Sequence, residues 1–121
     1  MEDLFVKNLW DEADELLMQA DNELNRPEED VVSPLVCNIS RLAIRKYLTG
    51  YLLKNGIEPD IPTTMGSLLE QCRSHNKSFE NIDFSPINCH EEEHDTDYCL
   101  NVEDVGGCYK VAQFTEDIVK N

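Results

Sequence analysis

Positive charge is what this chain has least of. Across 121 residues, ten lysines and arginines stand against 25 aspartates and glutamates, a formal net charge of −15 at pH 7. A surface of that sign repels a phosphate backbone, which excludes sequence-independent DNA or RNA binding over a broad face. Long apolar runs are missing too: nothing approaches the length a membrane-spanning helix needs. The N-terminus, MEDLFVKNLWDEADEL, puts acids at positions 2 and 3, where a secretory signal would carry positive charge. The expectation is therefore a cytoplasmic protein with no membrane partner. Its five cysteines are an odd number, which does not suit a disulfide framework. Reduced thiols follow, and the three in apolar or helical surroundings read as small core residues. Strand-like alternation, internal repeats, a Gly-rich phosphate loop, G-x-S-x-G and a cysteine with matching histidine and acid partners are all absent. No catalytic residue, cofactor or metal ligand set is expected on these grounds.

What is present suffices for a core. With 40% hydrophobic and 29% charged residues, the composition is that of a soluble globular protein, and the length fits one domain spanning 1–121. The charge is unevenly spread. Residues before Val31 sum to −9 and those after Ile57 to −10, whereas Val31 to Ile57 carries +4 and no acid. That window also holds the most hydrophobic helical pattern, LVCNISRLAIRKYLTGYLLKNGIEP.

Periodicity predicts helices throughout. From Glu2 to about Asn25, Leu9, Ala13, Leu16, Leu17, Ala20 and Leu24 recur at steps of three and four, opposite a row of acids. A second helix runs from about Ser33 to Asn55, with Pro34 at its start, where a missing N–H costs nothing. Its apolar residues point in nearly every direction, which marks it as the centre of the bundle. Gly56 is the expected left-handed terminator, and Pro59 and Pro62 prevent continuation. Thr63 or Thr64 caps a third helix through Asn76, with Met65, Leu68, Leu69 and Cys72 facing inward. Residues 77–98 read as a short helix and a loop. Asn101 caps a last helix through Val119, weakened by Gly106 and Gly107. The fold class is all-α, an antiparallel up-and-down bundle of four to five helices.

Few constellations carry chemistry. His90 to His94 matches H-E-x-x-H, which on a helix sets two imidazoles one turn apart for zinc. The residues between them are all acidic, and a catalytic zinc would need a third ligand. A small metal-binding protein using His90 and His94, with Cys89 or Cys99, stays open as an alternative to a plain acidic loop. Arg41, Arg45 and Lys46 are the candidate binding residues. Arg41 and Arg45 share one side of the second helix, where they would either extend outward to pair with acids of the first helix or hold an anion. Tyr47 and Tyr51 form an i, i+4 pair suited to packing or to stacking on a base. Arg73 and His75, two apart, point in different directions.

The segment KYLTGYLLKNGIEPDIPTTMGSLLEQC, Lys46 to Cys72, resembles the HEPN family of small helical bundles. Its run of leucines, its G-I-E-P corner and its Leu-rich third helix follow the family plan, and VAQFTEDIVKN is similar to the family's closing helix. The resemblance implies a helical bundle that dimerises and works with a nucleotide or a nucleotidyltransferase partner, in a two-component or toxin–antitoxin arrangement. It departs from the family at Arg45 and Thr49, where Glu and Lys are common, and at Thr63 and Thr64, where a His-Asp pair opens the third helix. The ribonuclease members carry an Arg with a His four to six residues later, and His75, His90 and His94 each lack that partner. A non-catalytic interaction module is thus expected, with a degenerate ribonuclease as the alternative.

Overall fold

The computed structural model describes residues 2–27, 33–61, 63–82 and 102–120, with side chains described within 4–27, 35–61, 63–82 and 107–120. Among these residues the chain is all helix: α1 (Glu2–Leu24), α2 (Ser33–Lys54), α3 (Met65–His75), a 3-10 turn (Lys77–Asn81) and α4 (Val102–Lys120). α2 packs against α1, α3 and α4, so the helix with apolar residues on all sides is the central one. No helix among the described residues is long and apolar enough to cross a membrane.

The order of contacts fixes the directions. Lys46 and Tyr47 of α2 meet Glu12 and Asp14 of α1, while Lys54 lies over Trp10, so α1 and α2 run oppositely. Cys108 and Lys120 of α4 meet Cys37 and Tyr47 of α2, so α4 runs in the same direction as α2. The alternation expected of an up-and-down bundle therefore holds for α1, α2 and α4. Their shared core is built from Ala13, Leu17 and Ala20 of α1, from Val36, Ile44, Tyr47, Leu48 and Leu52 of α2, and from Cys108, Val111 and Ala112 of α4. Small residues on α1 and α4 let the backbones approach the bulkier α2. Burying such side chains contributes about 1.5–3 kcal/mol for each large aliphatic one.

The corner after α2 is formed by its backbone. Gly56 has φ of 73°, and the N–H groups of Gly56 and Ile57 donate to the carbonyls of Leu53 and Leu52. These are the two hydrogen bonds of a left-handed helix terminus. At α3, Thr64 rather than Thr63 is the cap: its Oγ1 accepts from the Ser67 N–H, and its own N–H donates to Ser67 Oγ, both at 3.1 Å. Ser67 thus fills the role that Glu or Gln usually takes in a capping box. α3 then buries Met65, Leu68, Leu69 and Cys72.

The 3-10 turn Lys77–Asn81 is held by Arg73. Its Nη2 and Nε donate to the carbonyls of Ile82 and Phe79, and Nη1 pairs with Glu70 at 2.9 Å. His75 points elsewhere, its Nδ1 lying 2.9 Å from Tyr51 Oη. α4 continues as helix through Gly106 and Gly107. The proposed Asn101 cap and the greater part of the segment 77–98 lie outside the described residues, as do the placements of Cys89 and Cys99.

Candidate functional site

The basic residues of α2 do not form one exposed strip. Arg41 is buried, with 2% of its surface accessible, and so does not extend into solvent as a long cationic side chain on a surface helix would. Arg45 is half-buried. Lys46 reaches across to α1 and pairs with Glu12 at 2.9 Å, as expected of a cation facing an acidic neighbour helix. Tyr47 and Tyr51 are core residues; Tyr51 packs tilted against Phe79 at 4.6 Å. His90 and His94, with Cys89 and Cys99, fall outside the described residues, and no cluster suited to a metal ion occurs among the described ones.

Three helices instead meet at Asp14. Tyr47 of α2 donates its hydroxyl to Asp14 Oδ1 at 2.6 Å, and Lys120 of α4 donates to both carboxylate oxygens at 2.7 and 2.9 Å. Lys120 also donates to Glu116 at 2.8 Å. Burial alone would raise the Asp14 carboxyl, but the hydrogen bonds from Lys120 and Tyr47 outweigh it and hold the group below its ordinary value. The Tyr47 hydroxyl is pushed up, first by burial and then by the carboxylate it faces. Lys120 follows the same balance with the opposite charge: burial would lower it, and Asp14 and Glu116 raise it. Acid, phenol and amine satisfy one another here.

Beside this hub opens a cleft of about 440 Å³, where the start of α1 meets the ends of α2 and α4. Its walls carry Lys7, Lys54 and Lys120, one from each helix, against Asp11 and Asp14. Three of the chain's ten cations thus converge in a protein of net charge −15. Two are engaged: Lys7 pairs with Asp11 at 2.9 Å and Lys120 with Asp14. Lys54 Nζ lies 5.4 Å from the centre of the Trp10 ring, a cation–π contact.

Trp10 forms the flat wall of the cleft, held in place by two features of α2. Its Nε1 donates to the Tyr47 carbonyl at 3.2 Å, and Gly50 lies beneath the ring. A Cβ at residue 50 would sit 2.3 Å from Nε1. Glycine in a helix interior costs about 1 kcal/mol against alanine, and here it makes the space that seats the indole. Neither the Asp14 hub nor Trp10 stands out in the sequence. Asp14 lies in a row of similar acids, and the only available signal was a glycine inside an otherwise continuous apolar helix.

The opposite flank of the α1/α2 pair exposes apolar side chains around an ion pair. Glu12 and Lys46 mark the side on which both helices face the same way. Phe5 is two turns from Glu12 on that side and 55% exposed; Leu42 and Leu35 are one and three turns from Lys46, at 37% and 43%. The outward-facing apolar residues of α2 are therefore not all covered by neighbours. No protein-family model matches this chain, and neither curated proteins nor solved structures give a match.

Proposed function

We propose that the protein is a HEPN-like, non-catalytic interaction module that works by associating with a second copy of itself. The observation that carries this reading is the exposure of Phe5 of α1 and of Leu35 and Leu42 of α2 on either side of the Lys46–Glu12 pair. Exposed apolar side chains of this kind gain free energy when another surface covers them. The Lys46–Glu12 pair in their midst supplies both signs of charge, and a two-fold partner presents the same pair in return. A nucleotidyltransferase partner, in a two-component or toxin–antitoxin arrangement, is what the family resemblance adds. Sedimentation velocity tests the association. The wild type should behave as a dimer with a Kd of about 1 µM or tighter, and Leu35→Glu/Leu42→Glu should be monomeric with an unchanged helical spectrum. A wild-type monomer at all accessible concentrations overturns the reading.

A second reading is favoured by the cleft. A planar ring bearing a phosphate could lie on Trp10 with Lys7 and Lys54 around its anionic group, which is the chemistry a nucleotide offers. Arg41 is too deeply buried to share in it, so this reading moves the anion from the middle of α2 to its end. The chain has a single tryptophan, so its fluorescence reports on the cleft directly. Adenosine phosphates should quench Trp10 emission saturably, and Lys54→Gln should weaken the effect. Emission unchanged at millimolar nucleotide removes the reading without touching the dimer.

A further inference from the structure

Cys37 and Cys108, from α2 and α4, lie 71 positions apart in the chain, and both are fully buried. Their Sγ atoms are 3.8 Å apart, van der Waals contact for two sulfurs. Cys72, also buried, contrasts with them: its Sγ lies 3.9 Å from the Leu48 carbonyl, and among the described residues it meets no thiol. A single buried cysteine is a small apolar residue. Two in contact have a further capability, because rotation about their Cα–Cβ bonds and a small approach of the helices would bring them to bonding distance.

We propose that Cys37 and Cys108 are a disulfide-forming pair that staples α2 to α4 when the protein meets a low-molecular-weight disulfide such as oxidised glutathione. One cysteine, as its thiolate, attacks a sulfur of glutathione disulfide, forming a mixed disulfide and expelling one glutathione thiolate. The other cysteine, losing its proton, then attacks the protein sulfur of that mixed disulfide and expels the second glutathione. Two protein thiols become one disulfide, one glutathione disulfide becomes two glutathione thiols, and the cysteine protons pass to the departing thiolates. Because both sulfurs are buried, the first exchange proceeds at the rate at which this end of the helix pair opens.

The position makes such a bond informative. Cys37 lies near the start of α2 and Lys54 at its end, roughly 25 Å apart along the helix, so the staple and the Trp10 cleft occupy opposite ends. The closed loop would take in most of α2, all of α3 and the first third of α4, and constraining so long a segment restricts the unfolded chain strongly.

The test uses the full reduced chain, held in glutathione redox mixtures at pH 8, trapped with N-ethylmaleimide and mapped by proteolysis and mass spectrometry. The expected product is a single covalent chain two hydrogen masses lighter, with a Cys37–Cys108 cross-linked peptide pair that dithiothreitol removes. Its Tm should rise by roughly 10 °C. Trp10 emission should not change. Cys108→Ala should lose both the cross-link and the shift; if that variant does not fold, the wild-type map alone decides. Cys37 and Cys108 remaining as thiols after amide exchange shows that α4 has opened, ending as separate mixed disulfides, or pairing with Cys72, Cys89 or Cys99 would each overturn the proposal.

Discussion

At the scale of single residues, polar groups inside the helices have the sharpest consequences. Ser40 is fully buried on α2, and its Oγ finds no hydrogen-bond partner among the described residues. An unsatisfied buried hydroxyl costs about 1–3 kcal/mol, and alanine is the better helix former, so both effects favour replacement. Ser40→Ala is therefore expected to stabilise the fold by about 1 kcal/mol in urea denaturation; a loss of stability would mean that the hydroxyl has a partner. Asp14 is the opposite case. Its carboxyl is held below the ordinary 3.8, so the folded state binds its proton less tightly than the unfolded state does. The stabilisation is complete above the unfolded value and disappears as pH falls through the lowered folded value. Asp14→Asn should cost about 1 kcal/mol at pH 7, a modest amount because the ion pair with Lys120 is partly exposed. Its deficit relative to wild type should shrink on acidification below the ordinary carboxylate range. A deficit independent of pH would show that packing, not charge, is what Asp14 contributes.

At the scale of elements, helix ends were legible and helix contacts were not. Gly56 and the threonines before α3 declare their roles through local backbone chemistry, because a left-handed terminus needs glycine and a cap needs a short side-chain oxygen. Choosing Thr64 over Thr63 required Ser67, which only the folded turn brings into register. Thr64→Ala should destabilise the protein by about 1 kcal/mol, while Thr63→Ala, exposed and outside the capping box, should be near neutral. The close approach of α1 to α2 was not legible. The contact that needs a missing Cβ at this interface is Trp10 on Gly50. Gly50→Ala sets a helix gain of about 1 kcal/mol against an overpacking cost of about 1–3 kcal/mol, and a 2.3 Å approach places it at the costly end. A net loss of stability with red-shifted Trp10 emission is the expected outcome. Stabilisation without a spectral change would mean that the ring is not seated there.

At the scale of the whole molecule, charge opposes the fold. A net charge of −15 on 121 residues repels itself, and the exposed ion pairs on α1 and α3 are individually worth little against that. Moderate sodium chloride should accordingly raise Tm, since screening the repulsion gains more than weakening the pairs loses; a fall in Tm would show that the pairs dominate. The sequence alone determined that the described residues are helical, to within a residue or two where α1, α2 and α3 begin and end, and that α2 is central. Those properties follow from side-chain period, capping groups and the range of directions in which α2 is apolar, all encoded within a few neighbouring positions. Only the tertiary structure decided which acid of α1 receives Lys120, that Arg41 is enclosed, that Trp10 rests on Gly50, and that Cys37 touches Cys108. Each depends on the rotation and offset of one helix against another, set by the summed packing of many side chains across long sequence separations, and no local pattern records that sum.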